Sequence, residues 1–202
     1  MSKLFPVAVA AAVATSAIAL YDAAHHGLTG RYSQFSTDSA YPSVVLLSDI
    51  VHGLNYAALA TILVLISRDA NSGRWQRGVG RLLATVLGVL AAMHLVGSPI
   101  SAATGAEYAV LSDIGGIFFL LMFLLSFILG LTLLRNFQRR VSAVLLVAIV
   151  PVLLLTILAA VLGSGFAHPA YAETLVNLGL ALLALPTSVT HHSPNPSMVR
   201  AA

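Results

Sequence analysis

The 202-residue chain has no cysteine, a single lysine and few charges of either sign. Without cysteine there is no disulfide framework, no thiolate metal site, no dithiol redox chemistry and no lipidated cysteine. The one lysine, Lys3, precedes the first apolar run. A retinal Schiff base, which needs a lysine within a span, is thereby excluded. Charged residues are 8% of the chain and hydrophobic ones 58%, far from the roughly 25% charged content of soluble domains. That balance predicts a lipid-embedded chain. Also missing are a Gly-rich phosphate loop and any kinase or hydrolase motif, and the polar connections are too short to fold as catalytic modules, so no nucleotide chemistry is expected. The pI near 9.6 does not point to nucleic acid, because the ten Lys and Arg are scattered between apolar runs rather than gathered on one face.

What the chain does have is long apolar runs. An α-helix needs about 20 apolar residues to cross a hydrocarbon core of about 30 Å. Six such runs are readable, near 4–23, 43–66, 82–102, 109–134, 142–164 and 171–190. The expected fold is therefore all-α, a polytopic transmembrane bundle of six helices at 1–190, followed by a disordered cytoplasmic tail at 191–202 that carries Pro194 and Pro196. Lys and Arg are retained on the cytoplasmic side of short loops. Lys3, Arg68, Arg74, Arg77, Arg81, Arg135, Arg139, Arg140 and Arg200 all fall on one side, leaving Arg31 alone on the other. Both termini are thus expected in the cytoplasm of a cell membrane, with the alanine-rich bias of a bacterial inner-membrane protein. Lys3 and the small residues at 14–19 also have the form of a signal peptide, but the apolar run is long for one and a retained helix is expected. The one sizeable outer segment, 25–42, carries Tyr32, Phe35 and Tyr41; it reads as an interfacial loop or as a lid over the outer mouth.

An internal repeat organises the polar residues. Leu-Ser-Asp-Ile stands at 47–50 and again at 111–114, and the same step of 64 residues from Asp113 reaches Asn177. Asp49, Asp113 and Asn177 then hold equivalent places in three helices that enter from outside, consistent with a bundle built from repeated helical hairpins. At 1.5 Å per residue each lies roughly 6 to 9 Å below the outer helix ends. His52 and Tyr56 follow Asp49 at helical spacing, and His94 in the antiparallel third span reaches the same depth, with Ser98 and Ser101 on its face. Glu173 stands one turn above Asn177; Asp22, His25 and His26 close the outer end of the first span. The expectation is an outer-half polar pocket that binds a small ligand or a divalent cation, centred on Asp49, His52, His94 and Asp113, with Tyr56, Ser98, Glu173, Asn177 and His25 around it. The inner halves of the spans are aliphatic, which argues against a continuous ion path.

Three chemistries fit such a pocket. Two imidazoles with two carboxylates are donors for a divalent cation such as zinc, although the His-x-x-x-His spacing of helical zinc enzymes is missing. With an open coordination position and Glu173 as general base, a metal-dependent membrane enzyme acting at the outer face follows. His52 and His94 also suit a single haem as axial ligands. Against these stands a plainer reading, in which the same residues are interhelical hydrogen bonds of an accessory subunit in a larger membrane complex. In layout, through residues 47–53 and 111–116, the chain resembles uncharacterised six-helix bacterial membrane families with basic inner loops and Asp or His near the outer ends of even-numbered helices. A histidine in the fourth helix, common in such layouts, is missing here. That resemblance implies the six-helix topology and no particular activity.

Overall fold

A computed structural model describes residues 4–36, 39–68, 73–104 and 109–185. Every regular element among them is helical: α1 (Leu4–Thr29), α2 (Pro42–Ser67), α3 (Arg74–Ala92), a π-helical turn (Met93–Gly97), α4 (Ser98–Thr104), α5 (Ala109–Leu133), a 3₁₀ turn (Phe137–Arg139), α6 (Arg140–Val147), α7 (Ile149–Val161), α8 (Ala170–Ala181) and a closing 3₁₀ turn (Leu182–Ala184). The third rod runs from α3 through the π turn into α4, and the fifth from α6 into α7. The result is the expected all-α bundle of six passes. Five are long and apolar enough to cross a membrane, and the sixth, Ala170–Ala184, is shorter. The chain is a multi-pass membrane protein. The tail expected at 191–202 lies outside the described residues.

Local chemistry explains where the rods start, stop and bend. Pro42 opens α2, where its missing N–H costs nothing. α1 continues well past position 23 because alanines and histidines sustain it, and it stops at Gly30, whose φ of 66° suits glycine. The Gly30 N–H closes the last turn on His26 O at 2.9 Å. α3 likewise starts at Arg74 rather than near 82, since its arginine-bearing first turns are amphipathic and extend past the apolar run. Pro99 has no N–H to give, and just before it the helix widens, the Ser98 N–H reaching back five residues to Met93 O. Pro151 has the same effect at the α6–α7 junction, where regular helix is interrupted at Ala148.

The rods form a closed ring. α1 packs on α2, α2 on α3, α3 on α5, α5 on α6, α6 on α8 and α8 back on α1, with α8 also touching α2. Inside lie Leu59, Ile62 and Leu63 of α2, Leu83 and Leu87 of α3, Met122 of α5, Leu146 and Val176, all nearly inaccessible. Leu154, Leu155, Ile157, Leu158 and Val161 of α7 are largely exposed, a contiguous apolar face that lipid covers. Lipid tails are as apolar as leucine, so helices hold together by close packing rather than by escape from water. α1 shows this in its buried stripe of Ala8, Ala12, Ser16, Ala19 and Ala23, which lets neighbouring backbones approach. One end of the ring gathers Arg68, Arg74, Arg77, Arg135, Arg139 and Arg140; the other gathers His25, His26 and His168, with His52 and His94 a few turns below.

Candidate functional site

The polar residues of α2, the third rod and α8 meet toward the histidine end. Tyr56 and His52 lie one turn apart on α2, and their rings stand 6.4 Å from each other. Tyr56 is fully buried and donates its hydroxyl to Glu173 Oε1 of α8 at 2.8 Å. His52 Nε2 faces that same carboxylate oxygen at 3.8 Å. From the π turn comes His94, whose Nδ1 donates to Asp49 Oδ1 at 3.0 Å while its ring stacks on His52 at 5.8 Å. The ring of Tyr56 is 5.7 Å from that of His94. The widened turn before Pro99 is what carries this histidine. Gly53 makes room for it: a Cβ there would come within 2.6 Å of Leu95 and 3.1 Å of His94 Cβ.

One turn further in, α2 and α8 exchange a second bond. Asn55 Nδ2 donates to Asn177 Oδ1 at 2.9 Å, both side chains being wholly buried. Asn55 Oδ1 and Asn177 Nδ2 have no hydrogen-bond partner. A buried amide left half-satisfied costs about 1 to 3 kcal/mol per unpaired group, so replacing both partners with apolar residues is expected to hurt less than replacing one. In thermal unfolding of the detergent-solubilised protein, the Asn55→Leu/Asn177→Leu double variant should therefore be more stable than Asn177→Leu alone.

Hydrogen bonds assign the imidazole tautomers. A carbonyl only accepts, so the 2.8 Å contact of His52 Nδ1 with Ser48 O puts the proton on Nδ1. The Nε2 of neutral His52 is then a bare lone pair, aimed across 3.8 Å at a carboxylate oxygen. Two acceptors face each other there with no donor between them. Among the described residues the carboxylates that face a basic side chain face imidazoles, His52–Glu173, His94–Asp49 and His168–Asp22, and no lysine or arginine pairs with the buried Glu173.

The remaining expected pocket residues are placed differently. Asp113 is exposed on α5, and α3 stands between α5 and α2 in the ring. Hence the equal spacing of Asp49, Asp113 and Asn177 along the chain does not bring them together; Asn177 pairs with Asn55 instead. Among the described residues no three His, Asp or Glu are grouped closely enough to hold a metal ion. Ser98 is half-buried beyond the π turn. His25 lies outside the cluster and is bonded to Arg31 O at 3.0 Å. Asn55 was not among the expected pocket residues; its position immediately before Tyr56 was the available signal.

Above the cluster sits a second polar group. Asp22 of α1 accepts from the Ser33 N–H at 3.3 Å and faces His168 Nε2 at 3.7 Å. His26 Nδ1 contacts Gly165 O at 3.0 Å, and Phe166 lies so close to Gly27 that a Cβ there would meet its ring at 2.4 Å. The segments 30–36 and 162–169 are thus both fastened to the end of α1. No family model, curated protein or solved structure matches the chain.

Proposed function

We propose that this multi-pass membrane protein binds a small cation between His52 and Glu173, on the extracytoplasmic side of a cell membrane. The orientation follows from the arginine end, which the positive-inside rule assigns to the cytoplasm together with both termini. The observation that carries the reading is the 3.8 Å gap between His52 Nε2 and Glu173 Oε1. That gap is too long for a hydrogen bond. A tetrahedral ion at about 2.0 to 2.1 Å from each sets two ligands about 3.3 to 3.4 Å apart, so the pair needs to close by about half an ångström to share one. His94 and Asp49 then act on the site's flank, the carboxylate fixing the ring as outer-sphere partners of metal-bound histidines do. A divalent ion uses the lone pair and the carboxylate directly. A protonated amine uses the carboxylate and the ring face of Tyr56.

Zinc or ethylammonium added to detergent-purified protein should raise its unfolding temperature, by an amount equivalent to about 2.7 kcal/mol at a hundredfold excess over Kd. Glu173→Gln should abolish the gain, and elemental analysis of the purified protein distinguishes the metal from the amine. No stabilisation by either probe would overturn the reading. A second reading, an accessory subunit of a larger membrane complex, draws on the direct bonds Tyr56–Glu173, Asn55–Asn177 and His94–Asp49, each of which ties two rods together. It predicts wild-type stability indifferent to both probes.

A further inference from the structure

The 162–169 loop leads into α8, and one side chain in it holds the start of that helix. His168 Nδ1 accepts the N–H of Ala170, the first residue of α8, at 3.2 Å. A backbone N–H only donates, so this nitrogen carries no proton and Nε2–H is the edge turned to Asp22 Oδ2 at 3.7 Å. His168 therefore has the tautomer opposite to that of His52. A second proton has only Nδ1 to bind, the nitrogen that already serves the helix.

We propose that His168 is a proton-operated latch on the start of α8: neutral, its Nδ1 holds the first N–H of the helix, and protonation of Nδ1 breaks that bond and turns the ring toward Asp22 of α1. Two N–H groups cannot point at each other, so the imidazolium must turn away from Ala170. The positive end of the α8 dipole drives it the same way. Once turned, it gains Asp22, which is already held by Ser33 of the other loop. The groups that act on His168 are Asp22 and His26 of α1 and Glu173 of α8. Burial is the largest influence and holds the imidazole below its ordinary 6.5; Asp22 and Glu173 oppose this and His26 adds to it. Because the folded protein resists the proton more than the unfolded chain does, this residue leaves stability unchanged above pH 6.5 and lowers it as the pH falls from there toward the folded value.

The test is hydrogen exchange at the amides of residues 170–173 in the full-length protein in nanodiscs, from about pH 8 to about pH 5, corrected for intrinsic rates. Wild type should lose roughly five-fold protection on acidification, the loss of one N-cap bond. His168→Asn, which accepts the same N–H and does not titrate, should stay protected throughout. His168→Ala should leave the Ala170 amide unprotected at every pH, while the Glu173 amide, bonded to Pro169 O at 3.0 Å, stays protected. A wild-type profile without pH dependence, or a His168→Asn profile that follows it, would overturn the latch. Zinc stabilisation measured separately at about pH 8 reports the cation reading alone, so the two fail independently.

Discussion

Tyr56→Phe is expected to destabilise the protein by about 1 to 3 kcal/mol, well above the roughly 0.6 kcal/mol average for a hydrogen bond between membrane helices. The average describes neutral partners that find substitutes when parted. Here the acceptor is a carboxylate with only 6% of its residue surface accessible, and Tyr56 is its one hydrogen-bonding neighbour shown at normal distance. Hydrogen bonds to ionised groups are about twice as strong as neutral ones, and removing the donor strands the charge. Glu173→Gln removes the charge as well. The cost of Tyr56→Phe should therefore shrink in the Glu173→Gln background, with a coupling of about 1 to 2 kcal/mol in reversible unfolding. Additive effects within a few tenths would show that the pair is not coupled.

The second large effect concerns packing at the opposite half of the bundle. Gly130→Ala is expected to cost about 1 to 3 kcal/mol. A Cβ at Gly130 would lie 2.8 Å from Leu146 Cβ, 3.1 Å from Val147 N and 3.2 Å from Ala143 O. None of these is the end of a flexible side chain, so α5 and α6 must move apart. Gly115→Ala meets Met93 Cε at 2.8 Å, but a methionine methyl swings aside. Gly116→Ala meets nothing within 4 Å and should be neutral or stabilising by up to about 1 kcal/mol, the helix-propensity gain of alanine over glycine. Thermal unfolding of the three variants in one detergent should rank Gly130→Ala lowest by a clear margin. Equal midpoints would mean that the α5–α6 contact is slack.

The passes were legible because crossing a bilayer imposes a length and a composition that little else imitates. Their ends were less so. Arg74, Arg77 and Arg81 belong to α3, and His25 and His26 to α1, since a helix goes on hydrogen-bonding to itself after its apolar run has stopped. Within the site, Asp49, His52, Tyr56 and His94 are neighbours because helical spacing and antiparallel depth are local facts readable from sequence. Asp113 shows what spacing leaves out. Depth says how far down a helix a residue lies, not which way it points or which helix stands beside it, and α3 separates its helix from α2. The tautomers of His52 and His168 were likewise beyond reach, because each depends on one backbone group settled only by the folded chain.

The shortness of the last rod has a consequence for where its carboxylate lies. α8 begins beside Ala19 and Ala23 of α1, and α1 continues to Thr29, about 9 Å higher. The 162–169 loop fills that step, its Gly165 and Phe166 meeting His26 and Gly27 at the polar end of α1. Glu173, in the first turn of α8, therefore stands within one helical turn of the 162–169 loop although its side chain is buried.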